Sequence, residues 1–489
     1  MSEREEGRND MASHFMSRRT FVSLGGMTTG FAALASIAGC RSESGESDSD
    51  AIGVPGCTVE VDLEDMVWDD ILAEAAGQTV VFLTLASDDI DPLFQQWWDK
   101  LAEDVKEKYD VTIEYSEFDQ AKYDKIITDL ENGTEATYDM FWGNASTTAP
   151  IRTAGNGVFG NKWITKLDNY KYLDQSSSFV TFDGVDTTKN EELAFLGLSP
   201  SLIYSTDNWD HTIDWDQEKD GKGGLPANFT ELAAWTIAHP GKFTYIDPTG
   251  SDGIHGLFFL KAILAELASD GENGWKPIYN EEDDVETRRK KIETNIDRWR
   301  TWSTSPNASE ETFYEKADYL WAYLKELAPY LLQTGSSPTY IESANDMMSH
   351  VIVGDLACAF TTCASIYERH AVEPNRYPTN PAIYMLQTSV GAWDYLVITS
   401  NSLVKAGAMV VANEMLDPSQ QAIAFQATGN VYNVAYNKLG SKQKELDDVF
   451  AIASAQSSSA AEIAQRSYND RFGLIEEWLL RGWAQNVRD

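Results

Sequence analysis

Thr79–Tyr115 reads TVVFLTLASDDIDPLFQQWWDKLAEDVKEKYDVTIEY. Its start, Thr79–Leu85, is a continuous apolar and β-branched run, the pattern of a strand buried on both faces. Ser87 or Asp88 is suited to cap a helix over Ile90–Lys108. Val111–Tyr115 is a second strand, and Tyr123–Glu131 a second helix. Tyr138–Trp142 (YDMFW) is a third strand, ending at Gly143-Asn144-Ala145-Ser146. Strand, helix, strand, helix, strand is the rhythm of a parallel α/β sheet. Such sheets bind ligands outside the carboxyl ends of their strands, which singles out Ser87, Asp88, Trp142, Gly143 and Asn144.

Downstream, a break is expected around Asp183–Glu192. Strands follow over Ser201–Tyr204, Phe243–Ile246, Leu356–Phe360, Tyr384–Leu386 and Tyr395–Ile398. Helices are expected over Phe229–Ala238, Ile254–Ala268, Thr294–Trp302, Glu311–Leu332, Ala344–Val353 and Lys405–Leu416, the last stopped by Asp417-Pro418. Two polar segments, Asp210–Pro226 and Gly271–Glu293, read as loops, and the tail from Lys442 as mostly helical. Val59–Ala76 reads as a short acidic helix.

Ahead of all this, Ser17–Cys40 reads SRRTFVSLGGMTTGFAALASIAGC. A charged n-region, an uncharged apolar run and small residues before a cysteine form an export signal. Arg18-Arg19 resembles a twin-arginine address, and Cys40 a lipobox cysteine that carries lipid after cleavage. A retained spanning helix is the other reading. The run just reaches the length of a span, but its Gly, Ala, Ser and Thr make it weakly apolar. Arg41–Asp50 (RSESGESDSD) cannot bury apolar surface and reads as a flexible tether. About 450 residues would remain after cleavage, enough for two or more domains.

The chain carries 77 acidic and 38 basic residues, a net charge of −39. Phosphate contacts need clustered Lys and Arg, so nucleic-acid binding is disfavoured. The acidic residues are spread along the chain, as in a halophilic protein whose whole surface is acidic. Besides Cys40, three cysteines remain, Cys57, Cys358 and Cys363; an odd number gives no fully paired framework. Cys358 and Cys363 read as buried thiols, with a bridge the alternative.

Catalytic patterns are absent: no phosphate-cradling Gly-rich loop with Lys, no H-E-x-x-H, no G-x-S-x-G. No cofactor or metal is expected. Asp216–Gly221 copies the opening of a calcium loop, but Ala227 stands where the closing Glu belongs. Sequons occur at Asn132, Asn144, Asn228 and Asn307. Among 15 tryptophans, Trp142 and Trp393 stand near strand ends, where a ring could line a pocket or hold a cation.

Three stretches together resemble the extracellular solute-binding proteins of ABC importers, in their YnjB-like branch. They are YDMFWGN at Tyr138–Asn144 with Ala154-Gly155; LAAWTIAHPGKFTYIDPTGSDGIHGLFFLKAILAEL at Leu232–Leu267; and a set running from Leu320–Leu331 through Val353–Ala357 to KAGAMVVANEMLDPSQQA at Lys405–Ala422. The resemblance implies an α/β, two-lobed periplasmic-binding-protein-like fold of type II, with the ligand cleft between lobes. Residues 59–197 and 393–435 would form lobe 1, residues 198–392 lobe 2, and residues 436–489 helices mainly on lobe 2. Hinges are expected near Leu196–Ser201, Gly391–Asp394 and Asn430–Asn433. The resemblance adds Ser199, Ser201, Thr249, Gly250, Ser251, Thr361, Thr362, Trp393 and Asp394 to the cleft residues; capping is the other reading of Ser87 and Ser251. It implies a monomer that is not an enzyme, anchored by lipid on the outer face of the cytoplasmic membrane. Its partners would be ABC permease subunits and a small polar ligand: a sugar, a thiamine-like or polyamine cation, or a similar metabolite. A secreted α/β hydrolase and a surface sensory receptor are the competing classes.

The charge makes a direct prediction. Self-repulsion of an evenly acidic surface is screened by salt, so the unfolding midpoint should rise between dilute buffer and molar salt. Equal stability in the two would remove the halophilic reading.

Overall fold

The computed structural model describes residues 66–84, 92–198, 200–205, 225–361 and 381–488, apart from residues 161, 176, 184–185, 273, 429–430, 433, 445–446, 449–457 and 459. The export signal with Arg18 and Arg19, Cys40, the tether, the calcium-like loop, and Ser87, Asp88, Ser199 and Thr362 lie outside the described residues.

The predicted βαβαβ run is present. Helix α1 (Trp68–Ala75) leads into β1 (Thr79–Thr84), α2 (Pro92–Tyr109), β2 (Thr112–Glu117), α3 (Gln120–Asn132), β3 (Met140–Gly143) and α4 (Ala145–Thr153). Asp119 caps α3 by accepting the Lys122 N–H, and Gly133 ends it in a left-handed conformation (φ 63°). Next come β4 (Glu192–Leu198), β5 (Ser201–Ser205), α5 (Phe229–Ala238), β6 (Phe243–Tyr245), α6 (Gly253–Glu266), α7 (Val285–Ser303), β7 (Cys358–Thr361), β8 (Pro381–Tyr384), β9 (Ser389–Ile398), α8 (Lys405–Met415), β10 (Val431–Tyr432) and β11 (Ser467–Asn469).

These strands build two main sheets. The first has the order β10-β4-β9-β3-β1-β2, with β11 added beside the start of β9. Strands β1, β2 and β3 are parallel, and β9 runs against both β3 and β4. The second has the order β8-β5-β7-β6, with only β6 and β7 parallel. The chain crosses from the first sheet to the second between Leu198 and Ser201, and returns between Tyr384 and Ser389. Each sheet has its own core. Phe229, Trp235, Phe259 and Tyr323 lie in the second; Phe82, Trp97, Trp98 and α8 cover one face of the first.

Two expectations are corrected and a third is extended. The break placed at Asp183–Glu192 is followed at once by β4, a buried strand. The polar loop Gly271–Glu293 becomes helical from Val285, because Asp284 caps α7 by accepting the Thr287 N–H at 2.7 Å. Among its described residues the tail is mostly helical, and it also holds a strand, β11, which pairs in parallel with Ser389–Gly391. It is fixed to the second lobe by the buried Lys261 ammonium of α6, which takes Asp470 and, at 2.6 Å, Glu476 as partners.

Where the chain crosses, the backbones approach closely. Gly197 of β4 sits opposite Trp393 of β9, and a Cβ there would fall 2.5 Å from the indole ring. Gly197→Ala should therefore cost about 1–3 kcal/mol through overpacking. Denaturant unfolding measures it; a cost below the error of that measurement would mean the indole moves aside freely.

Candidate functional site

The antiparallel β9 brings the carboxyl ends of both sheets to the two crossings. Gly143, ending β3, pairs with Tyr395 of β9. Thr361, ending β7, pairs with Ser201, the first residue of β5. Any site made by the carboxyl ends of the parallel strands therefore lies beside the crossings.

On the first-sheet side the centre is Trp142. Only 8% of it is exposed. It stacks on Phe94 of α2 (centroids 6.0 Å apart, planes at 18°) and meets Phe195 edge-on at 4.8 Å. Asp394 of β9 is half-buried beside it. Burial pushes the Asp394 carboxyl up to about 7, with the Trp142 indole N–H acting in the opposite sense. Asn144 starts α4: its carbonyl accepts the Thr147 and Thr148 N–H groups, and its own N–H donates to Thr147 Oγ1 at 2.9 Å. Gly143 is buried, and a Cβ on it would meet the Phe141 ring at 2.8 Å. The Oγ1 atoms of Thr84, ending β1, and of Thr148 are buried without a hydrogen-bond partner. An aromatic wall beside one partly accessible carboxyl can stack on an apolar face, hold a cation or accept from hydroxyls.

Trp393 is corrected. It is 4% exposed and packs on Phe179, centroids 4.3 Å apart. Side chains alternate along a strand, so Trp393 and Asp394 point to opposite faces of β9, and only Asp394 joins Trp142.

On the second-sheet side, Ser201 and Thr361 are buried. Thr361 Oγ1 lies 3.3 Å from Nδ1 of His255, which sequence reading passed over. Burial lowers the His255 imidazole to about 4, so it is neutral near pH 7. Thr249 donates both its N–H and its hydroxyl to Asp247 Oδ1 at 2.7 Å, and accepts from Arg488 at 3.0 Å. Ser251 donates to the Glu342 carbonyl. It is not the N-cap of α6: Asp252 holds that position and turns its carboxylate to the Ala344 N–H. Gly250 is half-buried in the same turn. Gly253 and Gly256 let α6 lie directly on this turn, since a Cβ at either would meet the carbonyl oxygen of Pro248 or Ile246 at 2.4 or 2.1 Å. The turn Asp247–Ser251 is thus a preformed rim whose hydroxyls are held by its own partners.

Phe94 also escaped the sequence reading. It stands three residues before the Trp97-Trp98 pair on α2, and its helical spacing reads equally as core. Cys358 is a free, buried thiol, raised by burial, as expected. Among the described residues there is no cluster of three or more His, Cys, Asp or Glu suited to a metal, and no helix long and apolar enough to cross a membrane.

Residues 100–435 match the family of bacterial extracellular solute-binding proteins. The chain belongs to that family. It is 22% identical to protein YnjB of Escherichia coli strain K12 over 358 residues, 72% of this chain and 78% of that one. Its fold is similar to that of the bacterial solute receptor AcbH, with a TM-score of 0.51 and 11% identity over 87% of this chain and 94% of that one. The spermidine/putrescine substrate-binding protein PotD of Streptococcus pneumoniae gives a TM-score of 0.48 at 14% identity, over 84% and 98% of the two chains. The two-lobed fold implied by the sequence resemblance is confirmed, and both fold and family are those of binding proteins.

Asp394 gives a pH prediction. Its carboxyl titrates near 7 in the folded chain against roughly 4 when unfolded. Folding takes up a proton between those values. The stability contributed is full below about pH 4 and is lost as pH rises through 7. Asp394→Asn should therefore gain on the order of 1–3 kcal/mol over wild type at pH 8 relative to pH 5. Some fall will remain, because burial also pushes Glu266 up to about 7. Denaturant unfolding at the two pH values tests this; identical pH slopes in both proteins would contradict it.

Proposed function

We propose that the protein is the solute-capturing subunit of an ABC importer: it closes two lobes on a small polar ligand and delivers it to a membrane permease. The observation that carries this reading is the convergence of the carboxyl ends of both sheets on the two crossings. Family membership and the fold shared with AcbH support it. Hinged closure is the ordinary way such lobes bury a ligand.

The ligand is held in this reading by Trp142, Phe94 and Asp394 from lobe 1, facing the Asp247–Ser251 rim and the Thr361 end of lobe 2. Ser87, Asp88, Asn144, Ser199, Ser201 and Thr362 complete the proposed contacts. A sugar would stack on the aromatic wall and donate hydroxyls to Asp394; a thiamine-like or polyamine cation would pair with its carboxylate. AcbH prefers β-D-galactopyranose and PotD is a spermidine/putrescine substrate-binding protein, one of each class. Lobe 1 would comprise residues 59–197 and 393–435, and lobe 2 residues 198–392. Cys40 would carry the lipid that keeps this trap, on its Arg41–Asp50 tether, beside the permease.

Thermal-shift titration with galactose, thiamine, spermidine and putrescine tests the ligand. A ligand that binds only the folded state raises the midpoint by mass action, by about 2.7 kcal/mol of stability at 100 times Kd. The Trp142→Ala protein should lose most of that shift. No shift with any small polar solute would count heavily against the proposal. In the expressing cell, Cys40→Ser should release the protein from the membrane fraction with its ligand shift intact; continued retention would mean a spanning helix.

A further inference from the structure

The short helix Ser178–Thr181 and the strand Phe182–Asp183 belong to the first lobe. There the carbonyls of Phe179 and Phe182 accept the Tyr395 hydroxyl of β9. The Phe182 ring is half-buried, and two guanidinium groups cover it from outside that lobe. Arg300, near the end of α7 in the second lobe, places its Cζ 4.5 Å from the ring centroid. Arg471, two residues after β11, places its Cζ at 5.5 Å.

The two arginines do not pack there for lack of alternatives. This chain carries twice as many acidic as basic residues, so exposed carboxylates are available everywhere. Arg471 is nevertheless buried, and that burial lowers its pKa. One carboxylate, Asp297, serves both: its Oδ1 lies 2.8 Å from Arg471 Nη1 and 3.3 Å from Arg300 Nη2. The Nε of each is buried without a hydrogen-bond partner. The two like charges share the Asp297 carboxylate, with Glu293 a further attraction on Arg471, and the ring face takes the place of water over part of their surface.

The same segment is tied in three further directions. The Asn469 side chain donates to the carbonyls of Ser178 and Phe182 at 3.0 and 2.9 Å. The backbone of β11 pairs with Ser389–Gly391, where the chain re-enters the first lobe. Asp470 and Glu476 hold Lys261 of α6. Residues 467–476 thus touch the first lobe, the crossing strand and the second lobe within ten positions.

We propose that Phe182 of the first lobe, clasped by Arg300 and Arg471, sets the angle at which the two lobes rest, with β11 holding the clasp in place between them. The clasp is tied to Tyr395, on the face of β9 opposite Asp394 and Trp142, so it controls how readily the lobes move without touching the ligand. It rests on the proposed function only in requiring that the lobes move. It is tested without ligand, so its failure would leave that reading standing.

The experiment compares wild type with Phe182→Tyr, Phe182→Leu and Arg300→Gln, by small-angle scattering and by amide hydrogen exchange at residues 467–470. Tyrosine keeps the ring face; leucine keeps apolar bulk and loses the face. Arg300 is partly exposed, so its substitution leaves both cores intact. Expected is wild-type behaviour for Phe182→Tyr. For Phe182→Leu and Arg300→Gln, exchange at these amides should speed at least tenfold and the radius of gyration should shift, while both proteins still unfold cooperatively. Unchanged exchange and scattering in Phe182→Leu and Arg300→Gln would overturn the proposal. Equal changes in Phe182→Tyr and Phe182→Leu would overturn it too, because packing rather than the ring face would then hold the lobes.

Discussion

The backbone pairing of Ser389–Ile398 is the constraint on which the rest depends. This one strand, β9, bonds to β3, β4 and β11. Its start lies in the core of the second lobe through Val390, while Trp393, Tyr395 and Val397 lie on one face of the first sheet, and Leu396 and Ile398 on the other. At its first residue the Ser389 hydroxyl donates to the carbonyl of Pro200, in the outgoing crossing. The two crossings are therefore bonded to each other and cannot shift independently. Nearby, Glu266 accepts the Phe229 N–H at 2.8 Å, and the Gln387 N–H donates to the Ala227 carbonyl at 2.6 Å. The return crossing is thus fastened to the second lobe just before it leaves it.

Much of this was legible in the sequence where local signals agreed. The run Thr79–Trp142 combines buried-strand composition with amphipathic helices, and its elements appear within a few residues of expectation. Phe229–Ala238 and Ala344–Val353 are found with the expected bounds, because Asn228 and Ser343 cap them and a histidine turn or Gly354 ends them. What escaped lacks a local signal. Glu192–Leu198 begins on a carboxylate that is fully buried in the fold and paired with Arg152; an acidic start beside an acidic loop reads as surface. Ser467–Asn469 is three polar or aromatic residues, and only its partner β9 makes it a strand. The first half of α7 is so charged that its helical period is hidden, and only the Asp284 cap marks its start.

The site was half legible for a related reason. Strand ends can be read from composition, so Trp142, Gly143 and Asn144 were placed at the end of the third strand. Which face a residue takes on β9 depends on register, and the pairing with β4 shifts by one residue between Asp394 and Tyr395. A tryptophan next to an aspartate gives no warning that one enters the core and the other the site. His255 was hidden by its neighbours, since a histidine inside the apolar run of α6 carries no pattern that links it to Thr361. Thr249 and Ser251 were placed among the cleft residues, but distant partners, Arg488 and the Glu342 carbonyl, engage their hydroxyls.

The placement of Asp394 gives β9 a further property. Five residues separate it from Ser389, which joins the crossings, and three from Gly391, which pairs with Asn469. A strand rises about 3.3 Å per residue, so the carboxyl that faces the proposed ligand lies within roughly 17 Å of every backbone tie between the lobes along this strand. Its neighbour Trp393 is wedged against Gly197 and Phe179, so the strand cannot rotate about its own axis to accommodate a ligand. A ligand that pulls on Asp394 is therefore opposed by a stiff element rather than a loose side chain. The compliant direction left is the bend of the crossings themselves, which is the motion that a two-lobed binding protein uses.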